Sequence, residues 1–157
     1  MESRLLCEYC FKFYLNASHS IIINGKQGEV HPHTWEIMLD IVVERKEFME
    51  FNEYEKVARD FFAKYQEQVL NDVEPFDTVV PTLENIVDYF GGELRNCMRQ
   101  VGGSLVRIEG SETPTRSYVV SYGDKEDYIN DVREYSKSSL TRVIDDMLDQ
   151  MLEEKDC

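Results

Sequence analysis

The sequence predicts an α+β fold in which two strands, two helices and two further strands follow one another. Three observations lead there. Apolar residues alternate with polar ones at a period of two near the start of the chain and again after residue 104. Between these stretches, apolar residues recur at helical spacing in two separate runs. An Asn-Gly dipeptide joins the first two strands, and such dipeptides close antiparallel hairpins.

The elements follow in order. From about Leu5 to His19, Phe11, Phe13 and Leu15 alternate with Lys12, Tyr14 and Asn16, as in a long half-buried strand. Ile21 to Ile23 run into Asn24-Gly25-Lys26, and from Val30 to about Glu44 a second strand places Trp35, Ile37, Leu39, Ile41 and Val43 on one side. The spacing then becomes helical. Asn52 can cap, Glu55 stands three residues on as in a capping box, and Tyr54, Val57, Phe61, Tyr65 and Val69 form an apolar stripe. After the loop NDVEPFDTVVP, Thr82 caps a second helix bearing Leu83, Ile86, Val87 and Phe90, which Gly91-Gly92 can end or which runs on to Cys97. Two shorter strands, about Ser104 to Gly110 and Thr115 to Tyr122, flank a turn at Ser111 to Pro114. Residues 1–123 form one domain, and residues 124–157 an acidic amphipathic helical extension with a break near Ser136 to Ser139. Its stripe of Leu140, Val143, Ile144, Met147, Leu148, Met151 and Leu152 suits packing on the domain or on a neighbouring subunit.

Composition narrows the function. The 157 residues carry a formal net charge of −14, with 42% hydrophobic and 31% charged residues. That balance belongs to a soluble globular chain. It excludes nucleic acid and anionic membranes as partners, since both require a basic face. No run approaches the roughly 18 apolar residues of a membrane span, and the N-terminus lacks the pattern of a signal peptide, so a cytoplasmic protein is expected. Cys7 and Cys10 have C-x-x-C spacing without a second pair and are read as buried strand thiols.

All three histidines, His19, His31 and His33, fall within fifteen positions. His31 and His33 differ by two, so in a strand both rings share a face about 7 Å apart along the chain. His19 ends the partner strand and can be brought opposite them. Three converging imidazoles without a fourth Cys or His nearby match an open catalytic zinc site better than a closed structural one.

These residues also carry a family resemblance. The stretch ASHSI…GKQGEVHPHTWEI, the later LND…F…PTLENI and SETPT resemble the 6-pyruvoyltetrahydropterin synthase and 6-carboxytetrahydropterin synthase family over roughly residues 8 to 122. The resemblance implies the tunnelling fold: a four-stranded antiparallel sheet with two helices between its second and third strands, assembled as trimers or hexamers with active sites between subunits. It also implies a zinc-dependent pterin lyase of tetrahydrobiopterin or queuosine biosynthesis, with Zn²⁺ held by His19, His31 and His33. Glu112, followed by Thr113, matches the family's pterin anchor, where a carboxylate meets the planar pair of donors formed by the ring N–H and the exocyclic amine.

The chain departs from the family at three proton-handling positions. Gln27 stands where the reactive cysteine is usual, and Gln66-Glu67 stand before Leu70-Asn71 where an Asp-His pair is usual. Glu29 and Glu67 are the candidate substitutes for the missing base, and Lys26 and Arg116 the candidate phosphate partners. Two functions therefore stand side by side. One is a zinc-dependent lyase acting on 7,8-dihydroneopterin triphosphate or a close relative. The other is a divergent homologue that binds a pterin or purine-like ligand at the metal site without the usual reaction.

Overall fold

The computed structural model describes residues 6–44 and 51–123 and, in the C-terminal segment, residues 134, 137–138, 140–145 and 147–148. Strand β1 (Leu6–His19) pairs antiparallel with β4 (His31–Glu44) along its whole length, from Leu6 opposite Glu44 to His19 opposite His31. Between them, β2 (Ile22–Ile23) and β3 (Lys26–Gln27) make a small hairpin. Its turn residues Asn24 and Gly25 have φ of 51° and 75°. That left-handed pair is what an Asn-Gly turn supplies at little steric cost. Helices α1 (Phe51–Ala63) and α2 (Leu83–Arg99) follow, then β5 (Ser104–Thr113) and β6 (Arg116–Ser121). The sheet order is β1-β4-β5-β6, so the fold class is the expected α+β arrangement.

Both helices lie on one face of the sheet. Leu15, Trp35, Ile37, Leu39, Ile41, Leu105 and Ile108 point to that face and are at most 1% exposed, packed against Ala58, Phe62, Ile86, Val87, Phe90 and Leu94. Each such aliphatic or aromatic side chain contributes about 1.5–3 kcal/mol on burial. The period-2 register delivers the histidines to this same face, because His31 and His33 continue the odd-numbered row of Trp35 and Ile37. The opposite face carries polar groups. There Arg107 bonds Asp40 at 3.2 Å and Glu109 at 2.5 Å, and Ser117 donates to Glu109 at 2.6 Å.

Several boundaries differ from the sequence expectation. Helix α1 begins at Phe51, ahead of Asn52, and ends at Ala63, so Val69 lies outside it while Tyr65 reaches the core from the following turn. Thr82 does cap α2, its hydroxyl accepting from the Asn85 N–H at 3.3 Å. Gly91-Gly92 do not end that helix. Gly91 is buried where α2 crosses β6, and a Cβ there would collide with the Tyr122 hydroxyl. Strand β5 runs on through Ser111, Glu112 and Thr113, leaving Pro114 and Thr115 as the turn. Cys10 is exposed on the polar face rather than buried, and Cys7 is half-buried. Partial burial, with a hydrogen bond to Asp40, pushes the Cys10 thiol up to about 11, so it is not a ready nucleophile.

After α1 the chain returns to the free edge of β1. The Glu67 N–H donates to the Asn16 carbonyl at 2.7 Å and the Ser18 N–H to the Gln68 carbonyl at 2.8 Å, while Ser18 and Val69 form a parallel bridge. The Gln66 amide completes this cover, accepting from the Asn16 N–H at 2.8 Å and donating to the Tyr14 carbonyl at 3.4 Å. In the C-terminal segment the described residues are helical, including Lys137 and Ser138, and Thr141 donates to the Lys137 carbonyl at 3.0 Å. Leu140, Val143, Ile144, Met147 and Leu148 are 48–61% exposed, so this stripe does not pack on the chain's own domain. Met151 and Leu152 lie outside the described residues. No helix among the described residues is long and apolar enough to cross a membrane.

Candidate metal centre

His19, at the end of β1, is 2% exposed, whereas His31 and His33 at the start of β4 are more open. The three ligand-capable atoms lie within 4.8 Å of one another, and the ring centroids are 4.7–5.0 Å apart. Main-chain carbonyls set two of the tautomers. His19 Nδ1 donates to the Pro81 carbonyl at 2.6 Å, and His31 Nδ1 donates to the Glu29 carbonyl at 3.0 Å. A carbonyl can only accept, so both Nδ1 atoms carry a proton, and in the neutral form of each ring Nε2 is left to present a lone pair.

Those two Nε2 atoms face each other at 3.1 Å. Two lone pairs at that distance repel unless a cation lies between them. Ligands on a tetrahedral ion with bonds of about 2.0–2.1 Å are separated by about 3.3 Å. The donor set, the tautomers and the spacing therefore fit a divalent metal, with His33 as the third ligand. Burial is the largest cause holding the His19 imidazole below its ordinary value, outweighing the Pro81 bond and the Glu112 charge, so the ring is neutral and ready to coordinate.

The clamp behind His19 is built from distant segments. The Asn71 side chain accepts from the Ser20 N–H at 2.8 Å and donates to the Ser20 carbonyl at 2.9 Å, fixing the backbone just after the ligand. Gln27 donates to the Ser20 hydroxyl at 3.0 Å. Trp35 lies at the base of the cluster, its ring 5.0 Å from that of His19, and donates from Nε1 to Glu112 Oε1 at 3.0 Å. That carboxylate oxygen is 3.9 Å from His19 Nε2, and its side chain is 17% exposed. Asn71 and Trp35 occur within the family-like motifs, but their contacts with Ser20 and Glu112 are structural findings. So is the contribution of the Pro81 carbonyl.

The remaining candidates are spread more widely. Thr113 ends β5, its hydroxyl 3.3 Å from that of Thr115. Glu29 is exposed and precedes β4, so although it stands two before His31 the strand does not set its side chain beside that ring; its carbonyl is what touches the histidine. Glu67 holds a left-handed backbone, φ 58°, and lines a cavity of about 440 Å³ together with His33, Asn16, Ser18, Pro32 and Thr34. A non-glycine residue in that conformation carries local strain, which is common where a side chain is aimed at a site. Lys26 is exposed on the inner hairpin and Arg116 is exposed at the start of β6, opposite Thr113. Pro32, between two ligands, lies opposite Ser18 without interrupting the β1–β4 register.

With this geometry established, the chain can be set beside known proteins. A family model described as 6-pyruvoyl tetrahydropterin synthase matches residues 8–124. Among solved structures, the chain is similar to the 6-pyruvoyl tetrahydropterin synthase of Caenorhabditis elegans, with 18% identity, a TM-score of 0.67, and coverage of 78% of this chain and 100% of that one. It is also similar to the Plasmodium falciparum 6-pyruvoyl tetrahydropterin synthase, with 15% identity, a TM-score of 0.55, and coverage of 76% and 99%. A third similar structure is the Plasmodium vivax 6-pyruvoyltetrahydropterin synthase in a catalytic-residue mutant with alanine in place of a glutamate, at 14% identity, a TM-score of 0.56, and coverage of 76% and 99%. At these identities the likeness is one of fold. No curated protein matches the chain.

Proposed function

Since the chain belongs to the 6-pyruvoyl tetrahydropterin synthase family, we propose that it is a zinc-dependent pterin lyase acting on 7,8-dihydroneopterin triphosphate or a close relative. The observation that carries this reading is the convergence of three imidazoles, with the Nε2 atoms of His19 and His31 facing each other at 3.1 Å and His33 beside them. When bound there, Zn²⁺ would supply Lewis acidity toward the substrate's side-chain hydroxyls. The other tasks fall to side chains. Glu112, partly buried and adjacent to Thr113 at the end of β5, accepts the ring N–H and the exocyclic amine of the pterin, which orients the ring and selects for it. A glutamate takes the proton from a side-chain carbon as triphosphate departs, or from a side-chain hydroxyl as that carbon becomes a carbonyl and the C–C bond to the departing fragment breaks. Lys26 and Arg116 are the cations offered to the triphosphate.

The base is Glu29 or Glu67. That a glutamate is named as the catalytic residue in the Plasmodium vivax relative supports a carboxylate in this role. Glu29 stands two before His31 but outside β4 and touches that histidine through its carbonyl, whereas Glu67 lines a cavity with His33. A second reading keeps the metal and a pterin or purine-like ligand but not the reaction. The observation favouring it is that the amides at the usual proton-handling positions are engaged structurally, Gln27 on Ser20 and Gln66 on β1.

The test is turnover of 7,8-dihydroneopterin triphosphate by the zinc-loaded protein, with products resolved by mass. The expected result is a metal-dependent pterin product that His33→Ala abolishes. Glu29→Gln or Glu67→Gln, whichever removes the base, lowers kcat by about 10²–10⁴. Metal bound at one per chain with no product refutes the lyase and leaves the ligand-binding reading.

A further inference from the structure

Glu112 lies closer to His19 than an anchor for the far end of a substrate requires. Its Oε1 is 3.9 Å from His19 Nε2 and is itself held by the Trp35 N–H at 3.0 Å. The three imidazoles come from β1 and β4, and Glu112 approaches from β5, which the longer course of that strand brings alongside. At 3.9 Å the carboxylate is too far from His19 Nε2 to be its hydrogen-bond acceptor. Two acceptors this close, one of them anionic, are reconciled by a cation bound to both. The 3.9 Å separation exceeds the roughly 3.3 Å between ligands of one tetrahedral ion by an amount that a side-chain rotation closes. Trp35 then acts as the outer partner that ligating carboxylates commonly have.

We propose that, in the substrate-free protein, Glu112 closes the fourth coordination position of the metal held by His19, His31 and His33, and that it leaves the metal for the pterin ring when substrate enters. This deepens the reading of the site as a metal-dependent pterin centre and rests on it. The exchange balances: the metal trades a carboxylate oxygen for a substrate hydroxyl, and the carboxylate trades the metal for two N–H donors. A ligand with hydroxyls but without such a pair of donors offers Glu112 nothing in return and is disfavoured. Selection for the ring is thereby built into access to the metal.

The experiment uses the full chain loaded with Co²⁺, whose visible absorption reports ligand identity and number, in the wild type and in Glu112→Gln and Glu112→Asp. Folding is checked by circular dichroism, and Zn²⁺ affinity is measured by competition with a chelator. Without pterin, both variants are expected to differ from the wild type in the cobalt spectrum, and Glu112→Gln to bind Zn²⁺ about 10–100-fold more weakly. Glu112→Asp keeps the charge but is one carbon shorter, and should recover affinity only in part without recovering the spectrum. Adding 7,8-dihydroneopterin should shift the wild-type spectrum. Identical wild-type and Glu112→Gln spectra and affinities overturn coordination by Glu112. A variant-sensitive spectrum that 7,8-dihydroneopterin leaves unchanged overturns the release step, and it separates that failure from absence of a metal, which chelator competition reads directly.

Discussion

Spacing by two residues put His31 and His33 on one face, and chain reversal at Asn24-Gly25 brought His19 across from them, so the convergence of the three imidazoles was legible from local pattern alone. What orients those rings was not, because the partners are main-chain carbonyls, one of them 62 residues away, and a carbonyl has no residue identity to read. Asn71 is the residue on which this orientation most depends. Asn71→Ala strands the N–H and carbonyl of Ser20, a residue only 1% exposed, and should cost about 2 kcal/mol in urea unfolding and about tenfold in Zn²⁺ affinity. His19 adds a pH signature. Because burial holds its folded value below 6.5, the unfolded chain binds the extra proton between the two values. Stability of the metal-free protein should therefore rise with pH through that window and fall as pH drops below 6.5. Urea midpoints at pH 5.5 and 7.5 check this, and His19→Gln should narrow the difference between them.

Helix and strand types were legible where periodicity was strong, and boundaries failed where turn-forming residues were put to another use. Gly91-Gly92 looked like a helix stop, yet Gly91 is there so that Tyr122 can approach α2. Thr-Pro-Thr pulled the expected end of β5 back to Gly110, although the strand runs on to Thr113 opposite Arg116 across a register shift, and Glu112 stands in that irregular stretch beside the histidines. The three glycines of this layer should consequently respond differently to the same change. A Cβ at Gly110 meets buried Val87 and lies 3.4 Å from Ile37, so Gly110→Ala should cost about 1–3 kcal/mol and lower the melting temperature by several degrees. At Gly92 nothing lies within 4 Å, and Gly92→Ala should stabilise α2 by about 0.5–1 kcal/mol. Thermal unfolding of the two variants side by side decides the matter, since opposite signs are required.

For the whole molecule, family membership and the exposed apolar stripe of the C-terminal helical residues together support the expectation of a trimer or hexamer. Light scattering should return that mass at micromolar concentration, and a monomer mass would refute it. Assembly was not legible in the sequence, because the groups that join copies look like any other half-exposed strand or helix until the sheet edges are known. One of those edges has a built-in limit. Residues 66–69 already take up the outward backbone groups of β1 from Tyr14 to Ser18, leaving the even-numbered positions ahead of Tyr14 facing the open side. A strand arriving from another molecule can therefore lengthen the sheet over the first part of β1 and no further. The same few residues that shape the wall beside His33 thus act as a ruler, setting how far a second chain can slide along this one and shortening the length of bare edge open to misassociation.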